Sequence, residues 1–128
     1  MEGRALAKQK VKTTKRETPA AHRLDRLATA IGEVRAGKRN SPRTLKLLAA
    51  GPAKMAQKVV EEAAEVAIEA AIGNREALIH ESVDLLYNLS ALWSALGVEP
   101  DAVWAEMDRR EALLGMAEKL PKVSEDDI

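Results

Sequence analysis

Lys58-Val59-Val60-Glu61-Glu62-Ala63-Ala64-Glu65, followed by Glu81-Ser82-Val83-Asp84, is the stretch from which the fold can be read. On a helix advancing about 100° per residue, with Glu61 at zero, Glu65 falls at about 40°, Lys58 at about 60° and Glu62 at about 100°. These four side chains share one third of the helix surface. On a second helix Glu81 and Asp84 are spaced i, i+3, so they too are neighbours on one face. Packed antiparallel, the two helices form a box of carboxylates. Left bare, like charges that close repel and raise one another's pKa values. A hard divalent cation with oxygen ligands removes that cost, and magnesium is the usual ion where a phosphate completes the shell.

A plainer reading of the same residues exists. Glu61, Glu62, Glu65 and Glu69 suit the solvated stripe of an amphipathic helix, and acids at a helix N-terminus favour its dipole. The second helix tips the balance toward a metal site. From Leu85 to Leu96 there is no charged residue, so that segment is expected to be buried nearly all round. Glu81 and Asp84 stand directly before it.

Outward from this pair, punctuation marks the other helices. Leu24, Leu27, Ala28, Ile31 and Val34 recur at three- and four-residue spacing, which predicts a helix from about Pro19 that ends near Gly37. Ser41 and Pro42 make an N-cap and first-position pair for a short helix to about Ala50. Gly51-Pro52 breaks the chain before the acidic helix, about 52–72. That helix has a wide, Ala-rich apolar arc, including Val59, Val60, Ala63, Ala64, Val66, Ala67, Ala70 and Ala71. Such an arc predicts contacts with more than one helix and a homodimer or higher homo-oligomer.

Gly73 reads as a C-terminal cap and Asn74 as the next N-cap, so the connection is short and the acid-bearing helices form an antiparallel hairpin. The second of them runs about 75–95 and stops at Gly97. Pro100 opens a last helix holding Val103, Trp104, Met107, Leu113 and Leu114. The expected architecture is an all-α bundle of four to five helices over 19–118. A basic tail, 1–18, and an acidic tail, 119–128, flank it.

Composition agrees with this. Hydrophobic residues make up 46% of the chain, yet aromatics are only 2% and Phe is absent, so the core must be Ala, Leu, Val and Ile. That suits closely packed helices rather than a β-sandwich or barrel. A net charge of zero gives no reason to expect nucleic acid or a membrane as partner. The absence of Cys excludes disulfides and thiolate zinc sites and is compatible with the cytoplasm. No apolar run approaches the length of a membrane span.

With these residues laid out, the chain resembles the phosphoribosyl-ATP pyrophosphatase family of histidine biosynthesis, within the MazG-like all-α nucleotide pyrophosphohydrolases. The likeness runs from about Leu24 to Arg110. It rests on Glu61, Glu62, Glu65, Glu81 and Asp84, and on the flanks Leu47-Leu48-Ala49-Ala50-Gly51, Lys54-Met55-Ala56-Gln57-Lys58 and Asp84-Leu85-Leu86-Tyr87. Three segments depart from the family pattern: Asn88 stands where His is common, Ser41-Pro42-Arg43-Thr44 replaces Ser-Tyr-Thr, and the C-terminal end differs.

The resemblance implies magnesium-dependent cleavage of a nucleoside triphosphate between its α and β phosphates. It implies Glu62, Glu65, Glu81 and Asp84 as metal ligands. Glu61 would join them or orient a water. Lys58, with Lys54 one turn earlier, would contact phosphate; on spacing alone Lys58 could equally pair with Glu62. Asn88 could bind substrate or serve as a core amide. His80, His22, Trp93, Trp104 and Tyr87 are expected at ordinary surface, core or interface positions. Two other functions compete: a house-cleaning enzyme of the same fold with another triphosphate substrate, and a non-catalytic helical oligomerisation module.

Overall fold

The computed structural model describes residues 19–114; the expected tails and residues 115–118 lie outside that range. Five helices make up the described chain: α1 (Pro19–Arg35), α2 (Pro42–Ala50), α3 (Pro52–Ile72), α4 (Arg75–Ala95) and α5 (Pro100–Leu114). No strand occurs among the described residues, and no helix there is long and apolar enough to cross a membrane.

The ends fall where the sequence's breakers and caps put them. Ser41 caps α2 by accepting from the Thr44 N–H, with Pro42 at the first helical position. Asn74 caps α4 through Oδ1, which accepts from the Ala77 N–H at 3.1 Å. Between α3 and α4, Gly73 sits at φ 76° and its N–H returns to the Ala70 carbonyl. A side chain at that left-handed position would be strained, so glycine there permits the tight reversal that makes α3 and α4 a hairpin.

That hairpin is the backbone of the fold, with α3 and α4 packed along their length. Helix α1 lies against α4; α2 bridges α1, α3 and α4; α5 rests on α1. The core is small. Ile31, Met55 and Ala91 are almost completely buried, and Leu27, Leu47, Leu48, Leu92 and Ala95 pack around them. Met55, from the first turn of α3, fills the space where α1, α2 and α4 meet; its unbranched side chain suits an irregular gap. Trp93 and Trp104 meet edge-to-face at 6.2 Å, and the Trp104 indole N–H donates to Asp25 Oδ1 at 3.2 Å, tying α5 to α1.

Burial along α4 is less complete than its lack of charge suggests. Asn88, Ser90 and Ala91 are buried, but Leu86 is 42% and Leu96 60% exposed. The wide arc of α3 is likewise mostly uncovered: Val59 and Val66 are partly buried, whereas Val60, Ala63, Ala64, Ala67, Ala70 and Ala71 are exposed.

Candidate metal centre

On the helical wheel of α3, Met55 and Val66 point at about 120° and 140°, which marks the direction of the core. Glu62, at about 100°, is nearest to it and is half-buried; Glu65 and Glu61 lie progressively further round and are exposed. Facing Glu62 across the hairpin are Glu81 and Asp84 from the second and third turns of α4, both half-buried. One carboxylate oxygen from each of Glu62, Glu81 and Asp84 lies within 4.8 Å of the others.

Glu62 Oε2 and Glu81 Oε2 are buried and have no hydrogen-bond partner. Buried polar atoms are normally paired, because leaving one bare costs free energy. Two orphaned acceptors beside a third carboxylate fit a hard cation, which would satisfy all three. The electrostatics agree. Burial, followed by the neighbouring Glu65 carboxyl, raises the pKa of Glu62. Glu81 is pushed up to about 7, first by the neighbouring Glu65 carboxyl and then by burial. Glu65 therefore acts on both half-buried acids, although it is not a member of the close trio.

The other expected residues are arranged more loosely. Glu61 is exposed, and its Oε2 accepts from Gln57 Nε2 at 3.1 Å. Lys58 is half-buried and Lys54 exposed. Among the described residues Lys58 forms no ion pair with Glu62, the i, i+4 partner that spacing offered. Asn88 is only 3% exposed, and its Nδ2 donates to the Asp84 main-chain carbonyl at 2.8 Å. That donor is thus engaged with the helix turn that carries Asp84. His80 is exposed and is not one of the three clustered ligands.

Sequence reading missed two features. Glu69, at about 80° on the same wheel, is half-buried, and its Oε1 is another buried acceptor without a partner. Its wheel position was the available signal. The second is Arg43, whose Nη2 lies 4.0 Å from Asp84 Oδ1 and whose guanidinium carbon lies 4.8 Å from the centre of the Tyr87 ring. No local pattern places Arg43 there, because the contact depends on how α2 packs on α4.

The model of the family described as phosphoribosyl-ATP pyrophosphohydrolase matches residues 24–111. The chain belongs to that family. Among its relatives, a Rhodopseudomonas palustris protein named phosphoribosyl-ATP pyrophosphatase 2 is 57% identical over 80% of this chain and 78% of its own length. A Bradyrhizobium diazoefficiens protein of the same name is 52% identical over 77% of this chain and 74% of its own. The phosphoribosyl-ATP pyrophosphatase of Azospirillum brasilense is 46% identical over 75% and 86%. No solved structure matches the chain. The matched span contains all five acids, so family membership and acid cluster concern the same part of the molecule.

Proposed function

We infer that this chain is a hydrolase that converts phosphoribosyl-ATP and water to phosphoribosyl-AMP and pyrophosphate, a step of histidine biosynthesis, with magnesium as cofactor. The observation that carries the metal-dependent reading is the convergence of Glu62, Glu81 and Asp84, with two buried oxygens lacking any partner. The names of its relatives support the substrate.

Glu62, Glu81 and Asp84 would hold magnesium, with Glu65 as the further ligand beside them. When bound, magnesium neutralises the charge of the triphosphate oxygens and of the transition state. Lys58 and Lys54, one turn apart on α3, lie along the same side and offer ammonium groups to phosphate oxygens. Glu61, outside the ligand trio, is the carboxylate left to orient the attacking water and accept its proton. The water oxygen bonds to the α-phosphorus, and pyrophosphate leaves with the electrons of the broken P–O bond. Asn88, whose Nδ2 bonds the Asp84 main-chain carbonyl, would be a further contact for the substrate beside that acid.

We also propose that the catalytic domain, 19–118, works in the cytoplasm as a homodimer or higher homo-oligomer. Val60 is 68%, Ile68 57% and Ile72 69% exposed on α3, and Ile79 48% and Val83 61% on α4. Apolar faces that open on both helices of the hairpin are the mark of a protein–protein contact. The double variant Val60→Lys/Ala67→Lys is expected to sediment as a monomer where the unaltered protein sediments as an oligomer. A monomeric unaltered protein would remove this part of the reading.

The reaction is tested by measuring pyrophosphate release with magnesium from phosphoribosyl-ATP and from a panel of standard and damaged nucleoside triphosphates. The expected result is a kcat/KM for phosphoribosyl-ATP at least about tenfold above any other substrate. Preference for another triphosphate would reassign the substrate. Inactivity throughout, with no magnesium-induced rise in melting temperature, would leave a helical oligomerisation module.

A further inference from the structure

Arg43 occupies a position that its ion pairing does not explain. It follows Pro42 at the start of α2, in the segment Ser41-Pro42-Arg43-Thr44, and its guanidinium lies over the Tyr87 ring with Nη2 4.0 Å from Asp84 Oδ1. That distance is too long for a hydrogen bond. The Arg43 side chain is 74% exposed, and an ion pair so wet and so loose is worth little. The guanidinium thus keeps its fork of N–H donors for something else.

The surroundings of Arg43, by contrast, are firmly built. Ser41 Oγ donates to Thr44 Oγ1 at 3.0 Å, and Thr44 Oγ1 and the Tyr87 hydroxyl are hydrogen-bonded at 2.7 Å. Thr44 is buried. This chain pins the first turn of α2 to α4 one turn beyond Asp84, and the Tyr87 ring gives the guanidinium a face to rest on. The result is a permanently charged planar cation at the rim of three carboxylates. An anion drawn to a metal at those carboxylates would meet it. A guanidinium matches a phosphate in charge and in the spacing of its donors.

We propose that Arg43 is a substrate-binding residue that contacts a phosphate group, with Tyr87 and Thr44 as the positioning residues that hold it there. The proposal rests on the pyrophosphohydrolase reading above. The phosphate has two possible sources in phosphoribosyl-ATP: the end of the triphosphate that leaves as pyrophosphate, or the phosphate of the phosphoribosyl group.

The test compares Arg43→Ala and Arg43→Lys with the unaltered protein in three measurements. These are the KM for phosphoribosyl-ATP, the affinity for inorganic pyrophosphate in magnesium by calorimetry, and the rise in melting temperature caused by magnesium alone. Arg43→Ala is expected to raise KM by about tenfold or more, with Arg43→Lys recovering part of the loss because it keeps the charge but not the fork. The magnesium-induced rise should be unchanged. A parallel loss of pyrophosphate affinity assigns Arg43 to the leaving end of the triphosphate, and unchanged pyrophosphate affinity assigns it to the phosphoribosyl phosphate.

An Arg43→Ala protein with unaltered KM and unaltered pyrophosphate affinity overturns the proposal. So does one that loses the magnesium-induced rise, because Arg43 would then be serving Asp84. If the unaltered protein does not turn over phosphoribosyl-ATP, the reaction reading fails by itself, and the pyrophosphate arm alone decides Arg43.

Discussion

Glu62→Gln and Asp84→Asn are each expected to abolish magnesium-dependent pyrophosphate release, with a loss of more than about a hundredfold in kcat/KM. Substitutions behind a metal's ligands already cost about 10–100-fold, so neutralising a ligand itself should exceed that range. The amides keep the shape of the acids, and the two side chains belong to different helices of the hairpin, so a shared loss would trace to the ion they hold in common. Folding should not suffer. The cluster is a place where charge is unfavourable without metal: burial and Glu65 raise the pKa of Glu62. Removing one charge from such a group relieves repulsion. Circular dichroism should therefore show unchanged helicity, and metal-free melting temperatures should stay level or rise. Magnesium should no longer raise the melting temperature. Full activity in both variants would end the metal-centre reading; a loss of activity together with a loss of helicity would mean that the acids serve the fold.

Most of the architecture was legible because helix ends are written locally. Pro42, Pro52 and Pro100 open helices, while Gly73 and Asn74 close one and open the next, and each acts through its own backbone or a side chain within a few residues. The acid trio was legible for a related reason. Two helical periods and one short connection bring Glu62, Glu81 and Asp84 together with no further tertiary information. Arg43 was not legible, since its place at the rim depends on the Thr44–Tyr87 bond between residues 43 positions apart. Asn88 could be read two ways from the sequence, and the structure adds that it is buried and that its Nδ2 donates to the Asp84 carbonyl. The exposure of Val60, Val83 and Leu86 was hidden too, because periodicity marks a face as apolar without saying what covers it.

Magnesium and protons should compete for the cluster, and the competition gives the second large effect. Glu81 has a pKa of about 7 in the folded protein against an ordinary value of 4.5. A raised carboxyl pKa means the folded state holds its proton more tightly than the unfolded chain. Without metal, this group's contribution to stability is present below about 4.5 and is lost as pH rises through about 7. Ligation requires the ionised carboxylate, so the ion must displace that proton. Below pH 7 the apparent magnesium affinity should then fall by up to about tenfold per pH unit as Glu81 takes up its proton. Metal-free protein should melt higher as pH drops from 8 to 5, whereas the extra stabilisation from a fixed magnesium concentration should shrink over the same range. Calorimetry at pH 8, 7 and 6 in buffers of different ionisation enthalpy would give both the affinity and the protons released. Glu81→Gln should bind magnesium more weakly and with a flatter pH dependence, having no proton of its own to displace. A magnesium affinity that does not change between pH 8 and 6 would show that the ion does not bind through Glu81.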